Sequence, residues 1–311
     1  MHTPQLVIAG NLLVDDIVLA DGRTRMGEPG GAVLYGALAA ALWEVSVGIV
    51  SVHGDDYPRS AIEALDTRGV DLSGLHPLGT PGLRTWLLYE PHGRRVVHQL
   101  GGATHETMSP APADVPRTFV GARAIHLAPM PIECQQALVA GLRPRLRDGV
   151  LSLDPHESVR EDNQARWREL LAQLDLFFLG EDEMQLAGSD SDPRAALERL
   201  HVRDDGYVVF KRGANGGLVR WQAREGACIF DWSARTARVV DPTGAGDAFA
   251  AGFLAGLVRE EPEGLCCARA LVSASFALED WGAHGLLAAT PALAAQRLET
   301  WFPLVRRHTR P

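Results

Sequence analysis

Cysteine is scarce. Cys134, Cys228, Cys266 and Cys267 are the whole supply, no two of them make a CxxC pair, and the last two are adjacent. This disfavours a disulfide scaffold and a cysteine-ligated zinc site, and a reducing cytoplasm is the expected compartment. Basic residues are outnumbered, 30 against 39 acidic ones, giving a formal charge of −9. A chain of that sign has no general attraction for nucleic acid. The N-terminus lacks a basic leader followed by a long apolar core and a cleavage site. The nearest approach to a membrane span, residues 32–50, contains Glu44 and changes there from alanine-rich to valine-rich. It reads as a helix followed by a buried strand, so no membrane partner is expected. Neither GxxxxGK[ST] nor a GxGxxG after the first strand is present, which excludes two common phosphate-binding fingerprints.

What is present is alternation. LVIAGN at 6–11 reads as a strand and residues 12–19 as a second. GEPGG at 27–31 leads into a helix at 32–43, and VSVGIVSV at 45–52 is a strand covered on both faces. Residues 83–100 break the pattern, because LRTWLLYE and RVVHQL flank the turn PHGR as an antiparallel hairpin. Alternation resumes through ARAIHLAP, VLSLDP, LDLFFLG and GYVVFKRG. EDEMQLAG is expected to start a short helix and TARVV to be a strand. The expected fold is α/β: a mostly parallel sheet with helices on both faces and a small β flap at residues 83–100.

Residues 238–253, RVVDPTGAGDAFAAGF, carry the clearest chemistry. An apolar strand is expected to end at Asp241. Pro242 and Thr243 turn the chain, and Gly244, Ala245 and Gly246 let backbone approach a ligand. A helix then starts with Asp247 in its first turn. The N–H groups of such a start favour an anion, and a carboxylate beside them suits phosphoryl transfer. The plainer alternative is a tight turn capped by Asp247.

The run DPTGAGDAFAAGF resembles the C-terminal signature of the ribokinase/PfkB family of small-molecule kinases. GNLLVD at 10–15 is similar to that family's opening strand and substrate aspartate, and GGAVLYGALAAAL at 30–42 to its first signature. LGEDE at 179–183 resembles the NxxE region, KRGANGG at 211–217 the nucleotide-side glycine loop, and WGA at 281–283 the end of the nucleotide-side helix. The resemblance covers roughly residues 6–305 and implies a ribokinase-like three-layer sandwich in one domain spanning 1–311, with a small β lid formed around residues 12–29 and 83–100.

It also implies roles. Asp247 would be the general base, and Gly244, Ala245 and Gly246 the anion hole. Asp15, with Asp16 as its competitor, would bind substrate hydroxyls beside Gly30, Gly31 and Tyr35. Lys211, Gly213, Gly216, Thr243 and Gly282 would border the nucleotide. Glu183 would organise water around magnesium. Two departures stand out: Gly180 occupies the asparagine position of NxxE, and Tyr35 replaces an asparagine that reads a sugar hydroxyl in many relatives. Arg84, Arg94, Arg95, Tyr89, His98 and Gln99 lie in or beside the hairpin, where they would either meet a substrate or stay solvated. Asp154 and His156 follow a strand end and suit polarity near the substrate better than a metal pair, and His126 suits the edge of the core.

The implied activity is ATP-dependent phosphorylation of a hydroxyl on a sugar or related polyol, with ATP and magnesium, and with potassium or another monovalent cation as an option that related kinases use. Nucleoside and inositol kinases of the same fold are alternatives, as is a ligand-sensing protein without catalysis. An apolar outer lid face would suit a homodimer.

Overall fold

The strands of the main sheet are apolar on both faces, and alternate residues feed two separate cores. Leu6, Ile8, Phe178 and Val209 face a core completed by small-residue helices. Val7, Ala9, Phe177 and Val208 face a second core on the opposite side. This period-two split is what a sheet sandwiched between two helical layers requires.

The computed structural model describes residues 3–90, 93–186, 192–223, 226–233, 238–302 and 305–309. The chain order is β1 (Leu6–Ala9), β2 (Leu13–Val18), β3 (Thr24–Gly30), α1 (Ala32–Ala41), β4 (Val47–His53), α2 (Arg59–Thr67), β5 (Asp71–Pro77), β6 (Arg84–Glu90), β7 (Gly93–His98), β8 (Ala124–Leu127), α3 (Ile132–Leu142), β9 (Val150–Leu153) and β10 (Val159–Arg160). It continues with α4 (Gln164–Leu171), β11 (Leu176–Gly180), β12 (Met184–Gln185), α5 (Pro193–Glu198), β13 (Tyr207–Lys211), β14 (Gly217–Ala223), β15 (Gly226–Trp232), α6 (Ala245–Val258), α7 (Glu263–Leu278), α8 (His284–Ala288), α9 (Pro291–Trp301) and β16 (Val305–Thr309).

The main sheet runs β16-β15-β14-β13-β11-β9-β8-β1-β4-β5. From β13 to β5 every neighbouring pair is parallel, and β14, β15 and β16 close one edge as antiparallel strands. After β1 the chain builds outward through β4 and β5, then returns to place β8 on the other side of β1. That reversal opens a crevice beyond the carboxyl ends of β1 and β8, the place where open α/β sheets bind ligands.

Helices α1, α6 and α7 pack tightly because alanine and glycine dominate them. A Cβ on Gly252 of α6 would lie 2.5 Å from Ser273 Oγ of α7. Across the sheet, Trp167 of α4 is fully buried against Phe177, with ring centroids 5.6 Å apart. Burying a side chain of that size contributes roughly 1.5–3 kcal/mol.

A second sheet, β3-β2-β6-β7, stands over the crevice. β6 and β7 form the expected antiparallel hairpin, and β6 adds parallel to β2. Met26, Trp86 and Val97 of this sheet are exposed.

Three local expectations change. GEPG at 27–30 belongs to β3 and not to a helix lead-in, because the bulge between Asp15 and Ile17 lets this glycine-rich stretch pair with β2. EDEM forms a turn and then β12, with no helix through residues 181–186. The Glu183 carboxylate accepts the Gly180 N–H at 2.5 Å, a local side-chain bond that competes with helical pairing. Residues 187 and 188 of that motif lie outside the described residues. For TARVV, residues 236 and 237 also lie outside them, and 238–240 form no strand; the Val240 N–H instead donates to the Leu278 carbonyl at 2.8 Å.

Candidate active site

The carboxyl ends of the parallel strands deliver most of the polar groups. Asp154 directly follows β9, Lys211 ends β13, and the turn after β11 returns Glu183 toward Gly180. The Lys211 ammonium is ion-paired with the Asp154 carboxylate. Asp247, in the first turn of α6, shares this electrostatic environment with Lys211 and Glu183. Burial raises the pKa of Asp247, and Lys211 and Arg94 partly offset that rise. Burial also raises Asp154 and Glu183, again opposed by Lys211. For Lys211 itself, burial disfavours the charge, but Asp154 and Glu183 outweigh it and raise its pKa. One cation thus holds together three carboxylates. Lys211 is also the only lysine in the chain.

The turn before α6 is organised by Asp241, which is fully buried. One carboxylate oxygen accepts the Thr243 N–H at 2.9 Å and its hydroxyl at 2.7 Å. The other accepts the Gly282 N–H at 2.8 Å, which ties WGA to the same turn. Gly244 then caps α6 with φ 73°, a left-handed conformation. A Cβ there would sit 2.1 Å from Tyr35 Cδ1, so only glycine fits both the backbone and the neighbour. Helix geometry leaves the N–H groups of Gly246 and Asp247 without intrahelical carbonyls. Gly213 and Gly216 flank the turn after Lys211.

On the opposite side of the crevice, successive residues of β2 diverge. Asp16 accepts both Arg84 Nε at 2.6 Å and Nη2 at 2.7 Å, together with the Gly27 N–H at 2.8 Å. Its pKa is lowered chiefly by Arg84. Asp15 is also buried, but its pKa is raised to about 7, first by burial and then by Asp241, Asp247 and Asp16, while Arg94 opposes the rise. Gly30 gives Asp15 its space, since a Cβ there would lie 1.8 Å from Asp15 Oδ2. Tyr57 donates to the Gly30 carbonyl at 3.1 Å, and Gly31 caps α1. Tyr35 is buried with its hydroxyl unpaired among the described residues.

The second sheet reaches across the crevice. Tyr89 Oη and Thr243 Oγ1 are 2.8 Å apart. Arg94 interacts with Tyr89, Asp247, Glu183 and Asp15 while its side chain remains exposed at the opening. Arg95 instead pairs with Glu90 at the surface, 2.5 Å away. His126 lies in the core and bonds Ser152 Oγ at 2.9 Å.

The structure therefore gathers Asp15, Gly30, Gly31, Tyr35, Glu183, Lys211, Thr243, Gly244, Ala245, Gly246, Asp247 and Gly282 around one crevice. Asp241, which the sequence marked only as a strand end, turns out to organise the site. Its signal was present in DPT, where an aspartate side chain accepts the N–H two residues on. A nucleoside triphosphate and a divalent cation suit this donor set. A Cβ on Gly246 would lie 3.4 Å from Lys211 Nζ, so the face of α6 is clear up to the ammonium. Asp154 and Glu183 supply hard oxygen donors of the kind that retain magnesium's waters.

A family model described as pfkB family carbohydrate kinase matches residues 14–288. A cytidine kinase of Thermococcus kodakarensis is 31% identical over 281 residues, which are 89% of this chain and 97% of that protein. A fructokinase of Klebsiella pneumoniae is 26% identical over 264 residues, 80% of this chain and 83% of its own. The solved nucleoside kinase of Burkholderia thailandensis in complex with ADP-inosine superposes with a TM-score of 0.73 at 17% identity, covering 98% of each chain.

Proposed function

The chain belongs to the pfkB family of carbohydrate kinases, and from that premise we propose that it phosphorylates a hydroxyl of a sugar or related polyol with Asp247 as general base. At the coarser level it is an ATP-dependent phosphotransferase of the sugar or nucleoside kinase type. The observation that carries the proposal is the position of Asp247: its carboxylate sits at the start of α6, beside the loop that can receive phosphate and beside the Lys211 cluster.

Asp15 accepts hydroxyl protons of the acceptor, and the unpaired Tyr35 hydroxyl offers one more polar contact. Asp247 takes the proton of the reacting hydroxyl. That oxygen forms a bond to the γ-phosphorus of ATP as the bond to the β-phosphate bridging oxygen breaks, and ADP leaves. The N–H groups at the start of α6 and Lys211 stabilise the charge that develops on the moving group. Magnesium, when bound, neutralises phosphate charge, and Glu183 and Asp154 would hold it through water. The raised pKa of Asp247 brings its basicity toward the working pH, where a general base is most effective. The second sheet acts as a lid that excludes competing water, with the contact between Tyr89 and Thr243 as its latch.

Asp247→Asn should retain nucleotide affinity and lose at least about 10²-fold in turnover. Isothermal titration with an ATP analogue and a coupled ADP assay check this, and near-normal turnover would remove Asp247 from its role. The 31% identity to a protein named cytidine kinase keeps nucleosides among the acceptors to be tested.

A further inference from the structure

Three imidazoles meet at the acceptor side of the crevice, and none has a part in the chemistry above. His98 ends β7, His105 lies in the loop that follows, and His156 lies two residues past Asp154. The rings of His98 and His105 are 5.4 Å apart between centroids, tilted by 50°. Those of His105 and His156 are 4.7 Å apart, edge to face at 84°. They line a cavity of about 550 Å³ whose walls also include Leu83, Leu100 and Glu106. Cavities of this size hold small organic ligands.

The cluster is joined to the acceptor site through its own frame. Thr85 stands beside Asp15 in the strand register and bonds His98 Nδ1 at 3.2 Å. Asn11, just past β1, donates to the His105 carbonyl at 3.2 Å. His156 also senses the charge of Arg94, which in turn acts on Asp15 and Asp247.

We propose that His98, His105 and His156 form a nucleobase subsite and that the acceptor is a nucleoside. This rests on the kinase reading above and narrows it. Burial disfavours the imidazolium form of all three, most strongly for His105, whose pKa falls to about 3. Each ring is then a flat, neutral surface with one donor and one acceptor nitrogen. Such a wall suits a planar heteroaromatic ring, which it can meet by face or edge and by complementary hydrogen bonds. It does not suit a phosphorylated sugar: Glu106, Glu133 and Glu157 line the same cavity and would repel its charge. It does not suit a metal, since the described residues contain no group of three or more His, Cys, Asp or Glu placed to hold one. The cavity is also lined by Leu100, which at 93% exposure offers an apolar contact that a polyol would not use.

The test reads binding without turnover. Protein labelled with ¹⁵N at histidine is titrated with cytidine, inosine and D-ribose, and the imidazole signals are assigned with His98→Gln, His105→Gln and His156→Gln. At least one nucleoside should shift two or more of the three signals, and D-ribose should shift none. His105→Ala should lower kcat/KM for that nucleoside relative to D-ribose by about tenfold, the scale of one lost stacking contact. Imidazoles unmoved by both nucleosides, or moved equally by D-ribose, would overturn the subsite. A sugar phosphorylated while the imidazoles stay silent removes the subsite and leaves the kinase. Nucleoside binding at the imidazoles with no acceptor phosphorylated supports the subsite and removes the kinase reading.

Discussion

The end of the crevice proposed for phosphoryl transfer is suspended from strands buried on both faces, whereas the proposed acceptor end is suspended from a four-stranded sheet with an exposed outer side. At the first, Lys211 and Asp154 are fixed by β13 and β9, and Asp241 ties together the turn and WGA. At the second, Asp15 depends on the bulge in β2 and on the missing side chain of Gly30, and Arg94 extends from an exposed strand. On the proposed reading, the strands buried on both faces position the step common to every acceptor, and the smaller sheet, exposed on its outer side, positions whichever acceptor is used. The difference teaches where to look for reaction type and where to look for specificity.

The sharpest way to break this contrast is at a place where the two ends touch. Gly244→Ala forces a left-handed alanine against the Tyr35 ring. The backbone penalty is about 1–2 kcal/mol and the overpacking about 1–3 kcal/mol. Displacement of the loop should lower turnover by about 10²-fold, the scale of a misplaced reacting group. Thermal melts and the ADP assay read both effects, and unchanged turnover would show the loop to be dispensable.

A change confined to the acceptor end should leave nucleotide binding alone. Asp15→Asn removes charge-assisted hydrogen bonds and should raise the acceptor KM about tenfold or more with ATP affinity unchanged. In the native enzyme, acceptor KM should fall as pH rises through about 7, where Asp15 ionises, and the asparagine variant should lack that slope. Stability moves in the opposite sense. The folded state holds the Asp15 proton more tightly than the unfolded chain, so raising the pH from about 4 to 7 should cost the native enzyme stability relative to Asp15→Asn. Denaturation midpoints of the two proteins across that window check the sign.

The smallest effect belongs to the contact that spans the crevice. Tyr89→Phe loses one partly buried hydrogen bond to Thr243, and acceptor KM should rise about two- to tenfold with kcat little changed. A large fall in kcat would mean that the lid does more than retain substrate.

The same contrast governs what could be read from sequence. Residues 241–253 are contiguous, so turn, glycine and helix start reveal themselves together, and the strand–helix alternation exposes the parallel sheet. Asp15 and Asp16 are adjacent acids, and only the phase of β2 decides which one Arg84 neutralises. Arg94 and Arg95 divide in the same way. The three histidines come from a strand end and two loops, and no periodicity links them. The short helix expected at EDEM failed because Glu183 bonds the Gly180 N–H, a competition that local propensity does not register. Glycine at position 180 is then no mere loss of an amide: a Cβ there would lie 2.4 Å from Glu183 Oε2, so the departure and the glutamate's conformation belong together.

Lys211 has one consequence of a practical kind. Arginine serves at every other cationic position, and a planar guanidinium is a poor replacement for a compact ammonium set among three carboxylates. With the α-amino group set aside, an amine-selective reagent has a single address on the molecule, and that address lies in the crevice proposed for catalysis. The ion pair with Asp154 and the raised pKa keep that amine protonated and slow to react, and on the proposed reading bound nucleotide would slow its modification further, with no other lysine to confuse the signal.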